Sequence, residues 1–105
     1  MSDFTHEGFD CYRLAVRVAR WLHRTRFPRG SADLRRQAVR AADSVVLNIA
    51  EGFARDGGAG KNHFRIALGS AAETCAVLDL VDIPEADDRQ HDLRRIGAML
   101  AKLSR

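Results

Sequence analysis

The chain has 105 residues, 46% of them hydrophobic, which suffices for one domain with a modest core and excludes two. Aromatic residues are only 7%, while Ala, Leu, Arg and Val dominate, a mixture that favours helices over a sheet and makes the expected class all-α. Seventeen Lys and Arg against fourteen Asp and Glu give a net charge of +3; residues 1–55 hold ten basic and six acidic side chains, an asymmetry that admits nucleic acid as a partner without establishing it.

The first helix is expected over about residues 9–26. Phe27-Pro28-Arg29-Gly30 stops it, because Pro cannot continue a helix and pushes its predecessor out of the α region. Arg13, Arg17, Arg20 and Arg24 recur along it at spacings of four, three and four, so they share one side and form a ridge. Four guanidinium groups over roughly 16 Å suit a phosphate backbone, each contact adding a counterion-release contribution. The competing reading is a solvated outer face, since Arg is a good helix former.

The second helix is expected over about residues 32–55, with Ser31 placed to cap it and Asp33 in the first turn, where the helix dipole favours an acid. Arg35 and Arg36 extend the basic region into this helix. Leu34, Ala38, Ala41, Val45, Asn48, Ile49 and Gly52 fall on one core face at helical period, and Gln37, Arg40, Ser44, Glu51 and Arg55 line the flank beside it. The stretch "DSVVLNIAEGFAR" therefore reads as a polar seam, not a plain apolar stripe. Gly52 is expected to let a neighbouring backbone approach closely, and Asn48 and Glu51 need partners, which Ser70, Glu73 and Thr74 of the next helix, or Arg40 and Arg55, are placed to supply. Such networks specify register and association more often than catalysis.

Asp56-Gly57-Gly58-Ala59-Gly60 reads as a loop, followed by a third helix over about residues 61–81. That helix carries two stripes: Phe64, Leu68, Ala71, Cys75 and Leu78 on one side, and Ile66, Gly69, Ser70, Glu73, Val77 and Leu80 on another. A lone bundle buries one of them fully, so the second implies a centrally placed helix or a subunit interface. Pro84 breaks the third helix, and a fourth is expected over about residues 85–103, acidic at its start and basic at its end. Short connections fold successive helices back on one another, giving an antiparallel up-down-up-down four-helix bundle.

Several chemistries lack their residues. A phosphate-binding P-loop requires Gly five positions before the Gly60-Lys61 pair and Ser or Thr after it, where Arg55 and Asn62 stand. The glycine segment is left as a flexible connection, or a weak anion site with Lys61 and His63. A di-iron bundle requires Glu-x-x-His pairs, and Glu51 and Glu73 are each followed at that spacing by Ala. His6, His23, His63 and His91 have no ligand-spaced partners, so neither metal nor cofactor is expected. Cys11 and Cys75 sit on core stripes as buried thiols, with no nucleophile beside a base, which points away from an enzyme and to a reducing compartment. Nothing approaches an uninterrupted apolar span, so a cytoplasmic location without membrane contact is expected. Trp21 alone is near enough to the ridge to stack on a base, and base-specific readout is not indicated.

The segment from Phe27 to Leu80 resembles the four-helix-bundle family of proteins encoded in intervening sequences of bacterial 23S rRNA genes. Phe27-Pro28, Leu34 to Gln37, Arg40 to Ser44, Asn48-Ile49-Ala50-Glu51-Gly52, Arg55, Phe64, Ala67, Gly69-Ser70 and Glu73 carry the resemblance in order. It implies a homopentamer of four-helix bundles. It also implies kinship with the accessory proteins of diversity-generating retroelements, similar pentamers whose basic surface engages nucleic acid and a reverse transcriptase. It brings no catalytic residue. The expectation is a non-enzymatic homo-oligomer binding RNA or DNA through Arg13, Arg17, Arg20 and Arg24, aided by Arg35 and Arg36. Its rival is a scaffold that recruits a protein partner through the second stripe and the seam of Arg40, Ser44, Asn48, Glu51, Gly52, Arg55, Ser70 and Glu73.

Overall fold

A computed structural model describes residues 4–105. After a short 3-10 turn at Thr5–Gly8, four helices follow: α1 (Asp10–Arg24), α2 (Ala32–Ala54), α3 (Gly57–Asp79) and α4 (Ala86–Leu103), with no strand among the described residues. Each helix packs on its neighbours in chain order and α1 closes against α4, while the diagonal pairs make no close backbone contact. This is the expected antiparallel four-helix bundle.

The core follows the 3.6-residue period. Val18 and Leu22 of α1, Val45 and Ile49 of α2, and Ile96 and Leu100 of α4 are buried to 1% exposure or less, each contributing roughly 1.5–3 kcal/mol of transfer free energy. From α3 come Phe64, Ala67, Ala71, Thr74, Val77 and Leu78. On α2, Leu34 and Asn48 are only half-buried, because they lie at the edge of the face that Ala38, Ala42, Val45 and Ile49 centre. Cys11 is buried at 1%, whereas Cys75 is half-buried, so the expectation of two buried thiols holds for one. Burial raises the pKa of both thiols.

The glycine segment is corrected most. Gly57 to Gly60 form the first turn of α3 instead of a loop, and only Arg55 and Asp56 connect α2 to α3. Gly57 turns the chain with a left-handed φ of 59°, and Gly60 is buried where the helices converge. A Cβ on Gly60 would stand 2.6 Å from the Arg55 carbonyl oxygen and 2.8 Å from that of Gly52. The close backbone approach assigned to Gly52 thus belongs to Gly60. Gly52 instead receives the ring of Phe64, whose Cδ1 and Cζ would lie 2.7 and 2.8 Å from an added Cβ. Phe64 then meets Phe53 edge to face at 5.0 Å, and Phe53 stacks on Phe9 at 4.3 Å, which ties this end of α2 and α3 to the start of α1.

Ser31 occupies the N-cap position of α2 but its side chain makes no capping bond. That α1–α2 junction is stapled instead by an arginine. Arg35 reaches back to the open carbonyls at the end of α1, donating Nε to Thr25 at 3.1 Å and one terminal nitrogen to His23 at 3.1 Å and Leu22 at 3.4 Å. At the same end of the bundle, Gln90 of α4 is buried and donates to the Cys75 carbonyl at 3.0 Å and to Asp79 at 2.7 Å, joining α4 to α3.

Candidate nucleic-acid interface

α1 turns Cys11, Ala15, Val18, Ala19, Trp21 and Leu22 inward, so the opposite side of the helix faces solvent. Arg13, Arg17, Arg20 and Arg24 all stand there, exposed. Their environments differ along the ridge. Arg13 lies 3.7 Å from Asp10 one turn earlier, and Arg17 lies 3.7 Å from Asp92 of α4. Among the described residues Arg20 and Arg24 enter no ion pair. The ridge therefore has an acid-balanced half near the start of α1 and an open half near its end. Trp21 points into the core at 8% exposure and offers no stacking platform.

Asp92 is unusual in this setting. Its carboxylate is 8% exposed and sits 3.3 Å from Nε of Arg89, itself 11% exposed, with Arg17 closing the group from α1. Asp92 thus faces Arg17 at ion-pair distance without a hydrogen bond, a link invisible in the sequence because it joins residues on different helices.

Of the two arginines assigned to the basic surface on α2, Arg35 is half-buried and committed to the carbonyls of α1, which removes it as a free phosphate donor. Arg36 is exposed and pairs with Asp33 on the same turn.

The polar seam forms between α2 and α3, with a membership that differs from the expectation. Ser70 donates to the Ser44 hydroxyl at 2.9 Å; Asn48 donates to the Ser44 carbonyl at 2.9 Å and its hydroxyl at 3.1 Å; and the Asn48 carbonyl oxygen meets Nδ1 of His63 at 2.8 Å. As the Asn oxygen only accepts, Nδ1 carries the proton. His63 completes the chain, and its place fifteen residues from Asn48 showed no pattern in the sequence. Glu51 finds Arg55 at 2.9 Å just past the end of its own helix, and that guanidinium holds the Glu51 carboxyl below its ordinary pKa through a hydrogen bond and its charge. Thr74 bonds back to the Ser70 carbonyl at 2.8 Å instead of crossing to α2. Arg40 and Glu73 remain exposed at a cleft beside Ser44 and Ser70, and neither forms an ion pair among the described residues. The second stripe of α3 is split: Val77 joins the core, while Ile66 and Leu80 are 43% and 69% exposed.

No described group of three or more His, Cys, Asp or Glu is placed to hold a metal, and no described helix is long and apolar enough to cross a membrane.

An all-α bundle with an arginine ridge on α1 and a polar seam between α2 and α3 defines the class. The sequence model for 23S rRNA-intervening sequence proteins matches residues 7–102, and the chain belongs to that family. The match extends over α1 and α4, beyond the segment from Phe27 to Leu80 on which the resemblance rested. A comparison with curated proteins finds no match.

Proposed function

We propose that the protein is a non-enzymatic, oligomeric four-helix bundle of the cytoplasm that binds RNA or DNA along the phosphate backbone through the outer face of α1. The observation that carries this reading is the ridge: four exposed arginines on one side of a rigid helix, with Arg20 and Arg24 free of ion pairs among the described residues. Contacts of this kind position a backbone and read little sequence, so binding is salt-dependent and weakly selective. Arg36 is balanced by Asp33 and Arg35 acts as a structural staple, so the reading rests on α1.

Assembly would multiply the ridge. The family resemblance implies five copies, and the exposed Ile66 on α3 and Leu80 just past its end, with the open Arg40 and Glu73 of the α2–α3 cleft, offer apolar and charged groups to a second copy. The same groups support the rival reading, a scaffold that recruits a partner helix with nucleic acid irrelevant.

Replacing Arg13, Arg20 and Arg24 together by Glu tests the assignment. Arg17 is left in place, because Glu there would set a second carboxylate against Asp92. Binding to mixed RNA and DNA is expected to disappear with helical content and subunit number by light scattering unchanged. Undiminished binding would overturn the ridge, and absence of binding by the unaltered protein at low salt would favour the scaffold.

A further inference from the structure

Beside the ridge, α1 and α2 line an open groove of about 330 Å³, at the small end of the roughly 300–1,000 Å³ typical of ligand sites. Its apolar surface comes from Val16, Val46 and Leu47, and Leu47 is 64% exposed. Its polar rim is Arg20, His23 and Asp43. His23 Nε2 and Asp43 Oδ1 stand 2.8 Å apart, with side chains 52% and 42% exposed. A carboxylate only accepts, so Nε2 is the donor, and the second Asp43 oxygen makes no hydrogen bond among the described residues.

We propose that this groove holds one unpaired nucleobase, guanine by preference, delivered by a strand whose phosphates lie on the ridge. The proposal rests on the backbone-binding reading above and extends it from the backbone to a base. Arg20 belongs to both features, so a nucleotide whose phosphate it contacts has its base beside the groove. An aliphatic floor suits the face of a base and is unsuited to a phosphate. The carboxylate points to the same occupant, because Asp43, paired with His23 through one oxygen, disfavours phosphate and leaves its second oxygen to accept from the N–H donors of a base. Guanine presents two adjacent N–H donors on its pairing edge. Uracil presents one between two carbonyls, which the carboxylate repels. In a duplex that edge is occupied, so single strands are bound in preference.

The test compares a short oligouridylate, the same oligomer with central guanosines, and a duplex of equal length. The unaltered protein is expected to bind the guanosine oligomer about tenfold more tightly than oligouridylate, the size of one good base contact, and more tightly than the duplex. D43N and, separately, L47S are expected to bring that ratio close to one while oligouridylate binding persists. A ridge variant, R13E with R24E, is expected to weaken both oligomers by the same factor and keep the ratio. A ratio near one in the unaltered protein, with both oligomers bound, overturns the groove and leaves the ridge standing. Equal weakening of both oligomers by D43N and L47S also overturns the groove. Failure of the unaltered protein to bind either oligomer overturns the groove and the backbone reading together.

Discussion

Asp92 meets the ridge at one point, Arg17, from a buried position. Its carboxylate, held between Arg89 and Arg17, balances a cation nearly as buried as itself. D92A would leave Arg89 without its counter-charge, and such losses cost about 3–5 kcal/mol. Urea unfolding of D92A is expected to fall in that range, and joint replacement of Arg89 by Met and Asp92 by Leu is expected to recover most of the loss. A D92A cost under about 1 kcal/mol would mean that solvent screens the pair. Glu51 is a milder case. Its pKa is lowered in the folded chain, so its contribution is complete above the ordinary carboxylate range and is lost as pH falls through the lowered folded value. E51Q is therefore expected to lose less stability than the parent on acidification, by a small margin because Glu51 is exposed. Thermal midpoints across the acid range check this. Arg35 and His63 mark what residue types alone concealed. An arginine beside a basic loop reads as a phosphate ligand until the fold aims it at α1's carbonyls, and a histidine gains its role only when α3 is set against Asn48.

At the level of the helices, the 3.6-residue pattern was legible wherever one face is buried, as in α2 and α4, because that period is local to the chain. Pro28 and Pro84 marked the breaks for the same reason. The start of α3 was not legible, since three glycines in four residues weigh against a helix at about 1 kcal/mol each. Packing overrides that preference, since Gly60 sits against the carbonyls of Gly52 and Arg55. The glycines should therefore respond in opposite directions. G58A meets nothing within 4 Å and is expected to stabilise by about 0.5–1 kcal/mol through helix propensity. G60A drives a methyl group into two backbone oxygens and is expected to destabilise by about 1–3 kcal/mol. Thermal melts resolve this, since 1 kcal/mol moves the midpoint by roughly 4–8 °C in a domain of this size. A stabilised G60A would show that the α2–α3 approach is looser than its distances state.

For the whole molecule, the all-α bundle was legible from composition and periodicity, and the ridge from spacing. The groove beside Leu47 was not, because its rim joins His23 to Asp43 across two helices and neither residue forms a pattern with its sequence neighbours. The exposed Ile66 and Leu80 give the assembly reading its own expectation. Charged substitutions I66E and L80E are expected to shift light scattering toward the monomer without lowering helical content. The central claim is that the ridge meets phosphates, and a salt titration of nucleic-acid binding by the unaltered protein tests it most directly. With four arginines engaged per protomer, the logarithm of affinity is expected to fall against the logarithm of salt with a slope of about −3 for each engaged protomer. A slope near zero, or no binding at low salt, would contradict the account.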